Sequence, residues 1–335
     1  MIDTIQFTQS IPIPIDLDLL ESFQSRFPKK QGGEHFSHTS KYSYRTRHWN
    51  FPMIGLRLES SRHSSITKIE CDLPKLLYGH NGKLIPDQAG LDEAIRRIGA
   101  ILRHFTLLPP GSDCSAHHID LGPVSRIDLL WQYDVPIISL RNVLQNCKVD
   151  GIRKKPNIYG GLNVVIPGTY LGVKAYDKLR ESGGIVSPSS ATQACRFEFK
   201  ITGEDRIAKF FGMKPGAGLK PLGFDQAYSV YRTLMSRIDN VTPAASAGAG
   251  GIARFLAEEA IKDPWIISRY LESRQLRSSS ASRVRQQVRA EAKKLRQFDL
   301  RSLIPPGQPP PPVEVICPRT EEAFEEFLAQ NPDLF

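Results

Sequence analysis

Lys174, Tyr176 and Lys178 occupy every second position of the run Tyr170 to Glu181, which reads as a strand ending in a charged turn. Alternate side chains of a strand share a face, so these three point the same way. A phenol between two ammonium groups is a candidate nucleophile, because cations favour the phenolate over a phenol whose ordinary pKa is about 10. The same spacing also describes a half-buried strand tyrosine between solvated lysines. What the rest of the chain sets opposite Tyr176 decides between them.

Three further runs alternate in the same way. Thr67, Ile69, Cys71 and Leu73 oppose Lys68, Glu70 and Asp72. Ile127, Leu129, Trp131 and Tyr133 oppose Arg126, Asp128 and Asp134. Cys195, Phe197, Phe199 and Ile201 oppose Arg196, Glu198 and Lys200. Each strand has an apolar face for a helix-covered core and a charged face left over. The charged face would gather Glu70, Asp72, Asp128, Glu198 and Tyr176 with Arg126, Arg196, Lys174 and Lys178. Cross-strand salt bridges, such as Arg126 with Glu198, are one explanation, worth about 0 to 1 kcal/mol each when exposed. The other is an oxygen-rich site for a hard divalent cation beside a nucleophile.

The elements that position these runs follow from local pattern. Leu91, Ile95, Ile98, Leu102 and Phe105 recur at helical spacing. Shorter helices are expected near Ser139–Cys147, Glu204–Phe211 and Phe224–Ile238. Strands near Leu162–Ile166 and Tyr170–Tyr176 form a hairpin across Pro167-Gly168. The run Leu73-Pro-Lys-Leu-Leu-Tyr-Gly-His-Asn-Gly82 turns the chain, its glycine-rich end reading as a loop. The first 50 residues read as irregular and polar. Within them, Lys41 to Trp49 mixes cations and aromatics, as a nucleic-acid contact or a plain exposed strand would.

The composition is that of an ordinary globular protein: 335 residues, 40% hydrophobic and 24% charged. A net charge of +9 suits a polyanionic partner, nucleic acid first. The chain shows no apolar N-terminal run and no membrane span, so no membrane role is expected. Five dispersed cysteines without a Cys-x-x-Cys pair read as reduced thiols of a cytosolic protein, with no structural zinc site.

Residues 243–251 read as a flexible linker. Residues 252–304 read as a helical, basic unit. Its helix Ala281–Phe298 carries Arg285, Arg289, Lys293 and Arg296 in one stripe, which suits phosphates or a major groove and equally a solvated face. Residues 305–335 are a proline-rich spacer and an acidic tail, helical or disordered. The expected fold is α+β: an antiparallel-rich sheet over residues 1–242, helices on one face and an active site on the other, then the helical C-terminal unit.

Four motifs occur in order: Leu73-Pro-Lys-Leu-Leu-Tyr-Gly-His-Asn, Val124-Ser-Arg-Ile-Asp128, Ala175-Tyr-Asp-Lys178 with Glu181, and Cys195-Arg-Phe-Glu-Phe-Lys200. Together they resemble the filamentous-phage gene II replication initiators and their relatives in phages, plasmids and prophages. The resemblance spans residues 66–212. It implies a rolling-circle initiator that nicks one strand of an origin through a 5′-phosphotyrosyl intermediate and later rejoins it. It implies Tyr176 as nucleophile, Lys178 and Lys174 as helpers that lower the tyrosine pKa or neutralise phosphate, and Asp128 and Glu198 as ligands of Mg2+ or Mn2+. Glu70 is a less fixed third ligand. Arg126, Arg196 and Lys75, with His80 and Asn81 in their loop, are candidate DNA contacts, although a structural turn also accounts for the loop. Asp134 reads as a strand-end residue. The chain lacks the His-x-His pair of many nicking enzymes, since His117 and His118 are adjacent. The implied setting is the cytoplasm of a bacterial host, with origin DNA, host helicase and host polymerase as partners. Two other readings fit the residues: a non-catalytic DNA-binding regulator, and a metal-dependent nuclease that uses water.

Overall fold

The computed structural model describes residues 1–14, 16–25, 47–61, 65–105, 122–159, 163–187, 191–214, 222–239, 256, 266–275, 278–295, 303 and 311–332. The elements begin with β1 (Ile2–Pro14), α1 (Leu17–Ser25), β2 (Arg47–Phe51), β3 (Leu56–Ser61), β4 (Ser65–Asp72), α2 (Leu73–Tyr78) and α3 (Gln88–Phe105). They continue with β5 (Val124–Tyr133), α4 (Ile137–Asn146), β6 (Lys148–Val149), β7 (Asn157–Tyr159), β8 (Asn163–Ile166), β9 (Leu171–Asp177), α5 (Lys178–Ser182) and β10 (Ile185–Ser187). Then come β11 (Cys195–Thr202), α6 (Glu204–Phe211), α7 (Phe224–Ser236), β12 (Ile238–Asp239), α8 (Ile266–Ser273), α9 (Ser278–Leu295), β13 (Glu314–Ile316) and α10 (Pro318–Gln330).

The fold is mixed α+β around one nine-stranded sheet in the order β2-β3-β4-β1-β5-β11-β9-β8-β7. Every neighbouring pair is antiparallel. The alternation read from the sequence sets the layers. Ile127, Leu129, Trp131, Phe197, Phe199, Ile201, Val173 and Ala175 are buried in the main core together with Leu91, Ile95, Ile98 and Leu102 of α3 and Tyr231 and Leu234 of α7. Phe199 meets Tyr231 edge-on at 5.4 Å, and the Tyr231 and Tyr133 hydroxyls share a hydrogen bond of 3.2 Å. Each large apolar side chain so buried contributes about 1.5–3 kcal/mol.

One expectation changes and two are refined. The first 50 residues are not irregular throughout: β1 lies between β4 and β5 near the middle of the sheet, with Ile5 and Phe7 buried. Phe23 of α1 packs on Phe51 and Phe105 at 5.4 and 4.9 Å, which ties this segment to the core. The Leu73 motif, read only as a turn of the chain, begins as a helix and ends in the expected loop from Gly79. Asp72 caps α2 by accepting from the Lys75 N–H, and Gly79, at φ +75°, ends it in the left-handed region that favours glycine. The acidic tail takes the helical of its two expected forms, as α10, whose Phe324 and Phe327 enter the main core, and β13 ahead of it pairs with β10.

The C-terminal helices α8 and α9 share a small apolar cluster of Leu256, Val288, Ile266, Ile267, Tyr270 and Val284. Arg285 is exposed on α9, and Arg289 and Lys293 fall on the same helix. Arg296, the His117–His118 pair, Cys114, residues 41–46 and the linker 243–251 lie outside the described residues. The other four cysteines are free thiols. No described helix is long and apolar enough to cross a membrane.

Candidate active site

Register brings the charged face together. Tyr176 of β9 stands opposite Arg196 of β11, which stands opposite Gln132 of β5. One step along, Lys174 faces Glu198, and beyond that Lys200 faces Asp128. Asp128 in turn faces Thr4 of β1, and Thr4 faces Asp72 of β4. The β1–β5 register shifts between Ile2 and Thr4. That irregularity goes with a placement of Asp3 that strict alternation would not give: its carboxylate reaches Arg196, with Oδ1 3.5 Å from Nη1.

Arg196 is the hub and is fully buried. Its Nε donates to Gln132 Oε1 at 2.8 Å, its Nη2 donates to the Asn81 carbonyl, and its Nη1 donates to the Tyr176 hydroxyl at 3.4 Å. The same Nη1 carries the ion pair to Asp3. Tyr176 itself is only 4% exposed. Lys174 Nζ lies 3.9 Å above its ring centre, a cation over a π face.

The pKa pattern reverses one expectation. Burial pushes the Tyr176 phenol well above its ordinary value, although Arg196 pulls it down. Lys178 is engaged by partners of its own. That lysine is buried at the start of α5, where its Nζ donates to Asn81 Oδ1 at 2.6 Å and to Glu181 at 2.7 Å, and burial lowers its own pKa. Desolvation of the ring edge outweighs the neighbouring cations.

The carboxylates behave differently from one another. Asp128 is 1% exposed and held by Arg126, whose Nε donates to Oδ1 at 2.9 Å while Nη2 reaches Oδ2. Arg126 also meets Glu70 at 3.2 Å, so it bridges two acids and does not pair with Glu198. Glu70 is taken on its other oxygen by Arg57 at 2.9 Å. Glu198 makes no hydrogen bond among the described residues. Burial, then Asp128 and Asp3, push it up to about 7 against the pull of Lys174. Burial and then Asp3 also raise Asp72.

Among the described residues, no three His, Cys, Asp or Glu side chains form a ready metal cage. The donor chemistry still fits a hard divalent cation. Asp3 Oδ1 is buried without a hydrogen bond, and Glu198 is strained by neighbouring negative charge. Magnesium commonly takes one or two carboxylates and completes its shell with waters and substrate phosphates. Glu70, engaged by two guanidinium groups, is the poorest donor of the expected set.

The expected DNA contacts are mostly occupied within the protein. Arg196 and Arg126 serve the networks above. Lys75 lies 3.5 Å from Asp72. His80 is buried, accepts the Gly82 N–H on Nδ1 at 3.0 Å and meets Glu321 through Nε2 at 2.8 Å. Asp134, a strand-end residue, accepts from the backbone N–H groups of Thr192 and Gln193. The residue that sequence reasoning missed is Asp3. The sequence offers no signal for it, because alternation would put Asp3 on the core face with Ile5 and Phe7.

A cover crosses the Arg196 end of this face. Gln132 Nε2 donates to the carbonyls of Gly82 and Val313, the Val313 N–H donates to the Gln132 carbonyl at 3.3 Å, and the Val315 N–H donates to the Gly82 carbonyl at 3.0 Å. The loop 79–83 and the C-terminal strap 313–321 are thus stitched to each other and to Arg196. Comparison with family models and with curated proteins returned no match for this chain.

Proposed function

We propose that the chain is a metal-dependent DNA strand-nicking enzyme and strand transferase that initiates rolling-circle replication, with Tyr176 as nucleophile. The single observation that carries the reading is the convergence on one guanidinium: Arg196 Nη1 touches both the Tyr176 hydroxyl and Asp3. Glu198, two residues along the same strand, is held near 7. A phenol, a buried cation and a carboxylate able to take a proton near neutrality are the parts that phosphoryl transfer to tyrosine requires. In this reading the charged side of the sheet is the working face, helices back the other side, and the unit at 252–304 holds the duplex.

Tyr176 Oη attacks phosphorus and its proton passes to a carboxylate of this face. The P–O3′ bond breaks, and the leaving oxygen takes a proton, returned by that carboxylate through water, and departs as a 3′-hydroxyl. The tyrosine keeps the 5′ phosphate in a phosphodiester, so the reverse attack rejoins strands. Arg196 and Lys174 offset the charge gathered on the phosphoryl oxygens. In the closed structure burial keeps the phenol protonated, so its proton leaves only on or after DNA entry. Asp3, Asp128 and Glu198 would hold Mg2+ or Mn2+, which when bound would polarise the scissile phosphate. The present burial of Tyr176 means that the cover at 79–83 and 313–321 must part for DNA to enter.

The test uses supercoiled plasmids bearing fragments of the replicon that encodes the chain, incubated with protein and manganese. A denaturation-resistant protein–DNA band is expected, and Tyr176→Phe should abolish it while DNA binding persists. Cutting without an adduct would instead mean a water-using nuclease. Binding with neither cutting nor adduct would mean a regulator. Full nicking by Tyr176→Phe would reject the tyrosine assignment.

A further inference from the structure

The edge of the sheet beyond Tyr176 has features that neither packing nor the residues above explain. Between Gly151 and Tyr176 the chain carries Arg153, Lys154, Lys155 and Lys174 and no Asp or Glu. Arg153, Lys154 and Lys155 are all exposed, on the loop that leads into β7. Tyr159, in β7, is 55% exposed, although a tyrosine on a sheet normally buries its ring.

Register places that ring. Tyr159 pairs with Asn163, and Val164 pairs with Ala175, so Asn163 stands level with Tyr176. Tyr159, Asn163, Tyr176 and Arg196 therefore form one row on one face. Tyr159 lies two strand spacings, about 10 Å, from Tyr176. The adjacent row is Asn157, Val165, Lys174 and Glu198. Asn157 Nδ2 donates to the Tyr159 hydroxyl at 3.5 Å.

We propose that this row is a track for single-stranded DNA, in which Tyr159 stacks an unpaired base next to the scissile phosphate and Lys154 and Lys155 hold the flanking phosphates. The proposal rests on the nicking reading and deepens it by naming the form of the substrate at the site. An exposed aromatic beside a run of cations is the device that binds unpaired bases without reading their sequence. The rival occupant, a β-strand added to the open edge by another protein chain, is disfavoured by a three-residue edge strand entered through Lys154-Lys155-Pro156. Duplex DNA buries its base faces and offers Tyr159 nothing to stack on.

The experiment measures fluorescence anisotropy of a labelled mixed-sequence single strand, and of the same length as a duplex, with the full chain. Tyr159→Ala should weaken single-strand binding about tenfold and leave duplex binding within about twofold. Tyr159→Phe should bind as the parent does, which separates stacking from loss of fold. Lys154→Ala with Lys155→Ala should reduce the salt slope by about 1.4. Unchanged single-strand affinity in Tyr159→Ala, equal loss on duplex, or a Tyr159-dependent self-association in sedimentation would each overturn the track. Tyr159-dependent binding without any Tyr176 adduct would keep the track and reject the nicking reading. An adduct that forms normally, with single-strand binding indifferent to Tyr159, would do the reverse.

Discussion

Glu321→Gln tests how the strap is held. The Glu321 carboxylate receives His80 Nε2 at 2.8 Å and Lys83 Nζ at 2.9 Å. His80 accepts the Gly82 N–H on Nδ1, so its proton sits on Nε2 and the neutral ring already donates to Glu321. Hydrogen bonds to a charged group contribute about 1.5–3 kcal/mol when sheltered. Glu321 and Lys83 are about one-quarter exposed, so solvent screening reduces the lysine contribution toward that of a surface pair. Glutamine keeps an acceptor oxygen and loses the charge, and the net cost to strap docking is about 1–2 kcal/mol. The assay is amide exchange at Val313 and Val315, whose N–H groups bond Gln132 and Gly82 across the seam. Their exchange should accelerate about 5- to 30-fold, with the amides of β5 and β11 unchanged. Exchange at Val313 and Val315 within twofold of the parent would refute the view that this carboxylate clamps the strap. Acid should act in the same direction. Burial lowers the His80 pKa in the folded protein, so the opened form takes up its proton first, and docking weakens as pH falls below about 6.5. The depressed Glu321 carboxyl contributes stability above its ordinary range that is lost at still lower pH.

Glu198 carries the opposite sign. Its folded pKa is raised to about 7, so its contribution to stability is intact below about 4.5 and is lost as pH rises through 7. In chelator-containing buffer, Glu198→Gln should match the parent near pH 5 and gain about 1–3 kcal/mol at pH 8, read as a higher Tm; a lower Tm at pH 8 would show that Lys174 dominates. Gly82→Ala builds a Cβ that clashes with the Val315 carbonyl oxygen. It should push the strap away and speed exchange at Val315 by more than Glu321→Gln does, and an unchanged rate would place the seam elsewhere. Arg196→Met removes the guanidinium shared by Tyr176 and Asp3, leaving Asp3 buried with no ion pair among the described residues, at a cost of about 3–5 kcal/mol. Chemical denaturation should show this loss, and a stability within 1 kcal/mol of the parent would mean that Asp3 is solvated.

Sequence alone determined what depends on short range. The alternation in Val124–Tyr133 and Cys195–Thr202, the amphipathic period of Leu91–Phe105 and the Pro167-Gly168 hairpin all stand in the fold, because side-chain period and turn chemistry are properties of a few neighbouring residues. The run Glu204–Phe211 stands unchanged as a helix for the same reason. Tertiary structure alone decided which faces meet. Strand β1 enters the sheet between strands that lie some 60 and 120 positions downstream, and nothing local to Asp3 marks it as the acid beside Arg196. Arg126 could have crossed to Glu198 but folds back on Asp128 two residues away and reaches Glu70, a choice made by register. Tyr176 sits where alternation put it, yet its high pKa comes from burial, which the strand pattern around it does not reveal. Period and propensity act through adjacent bonds and survive in the linear order of residues. Burial, and with it the charge state of a buried group, depends on whatever surface happens to close over it.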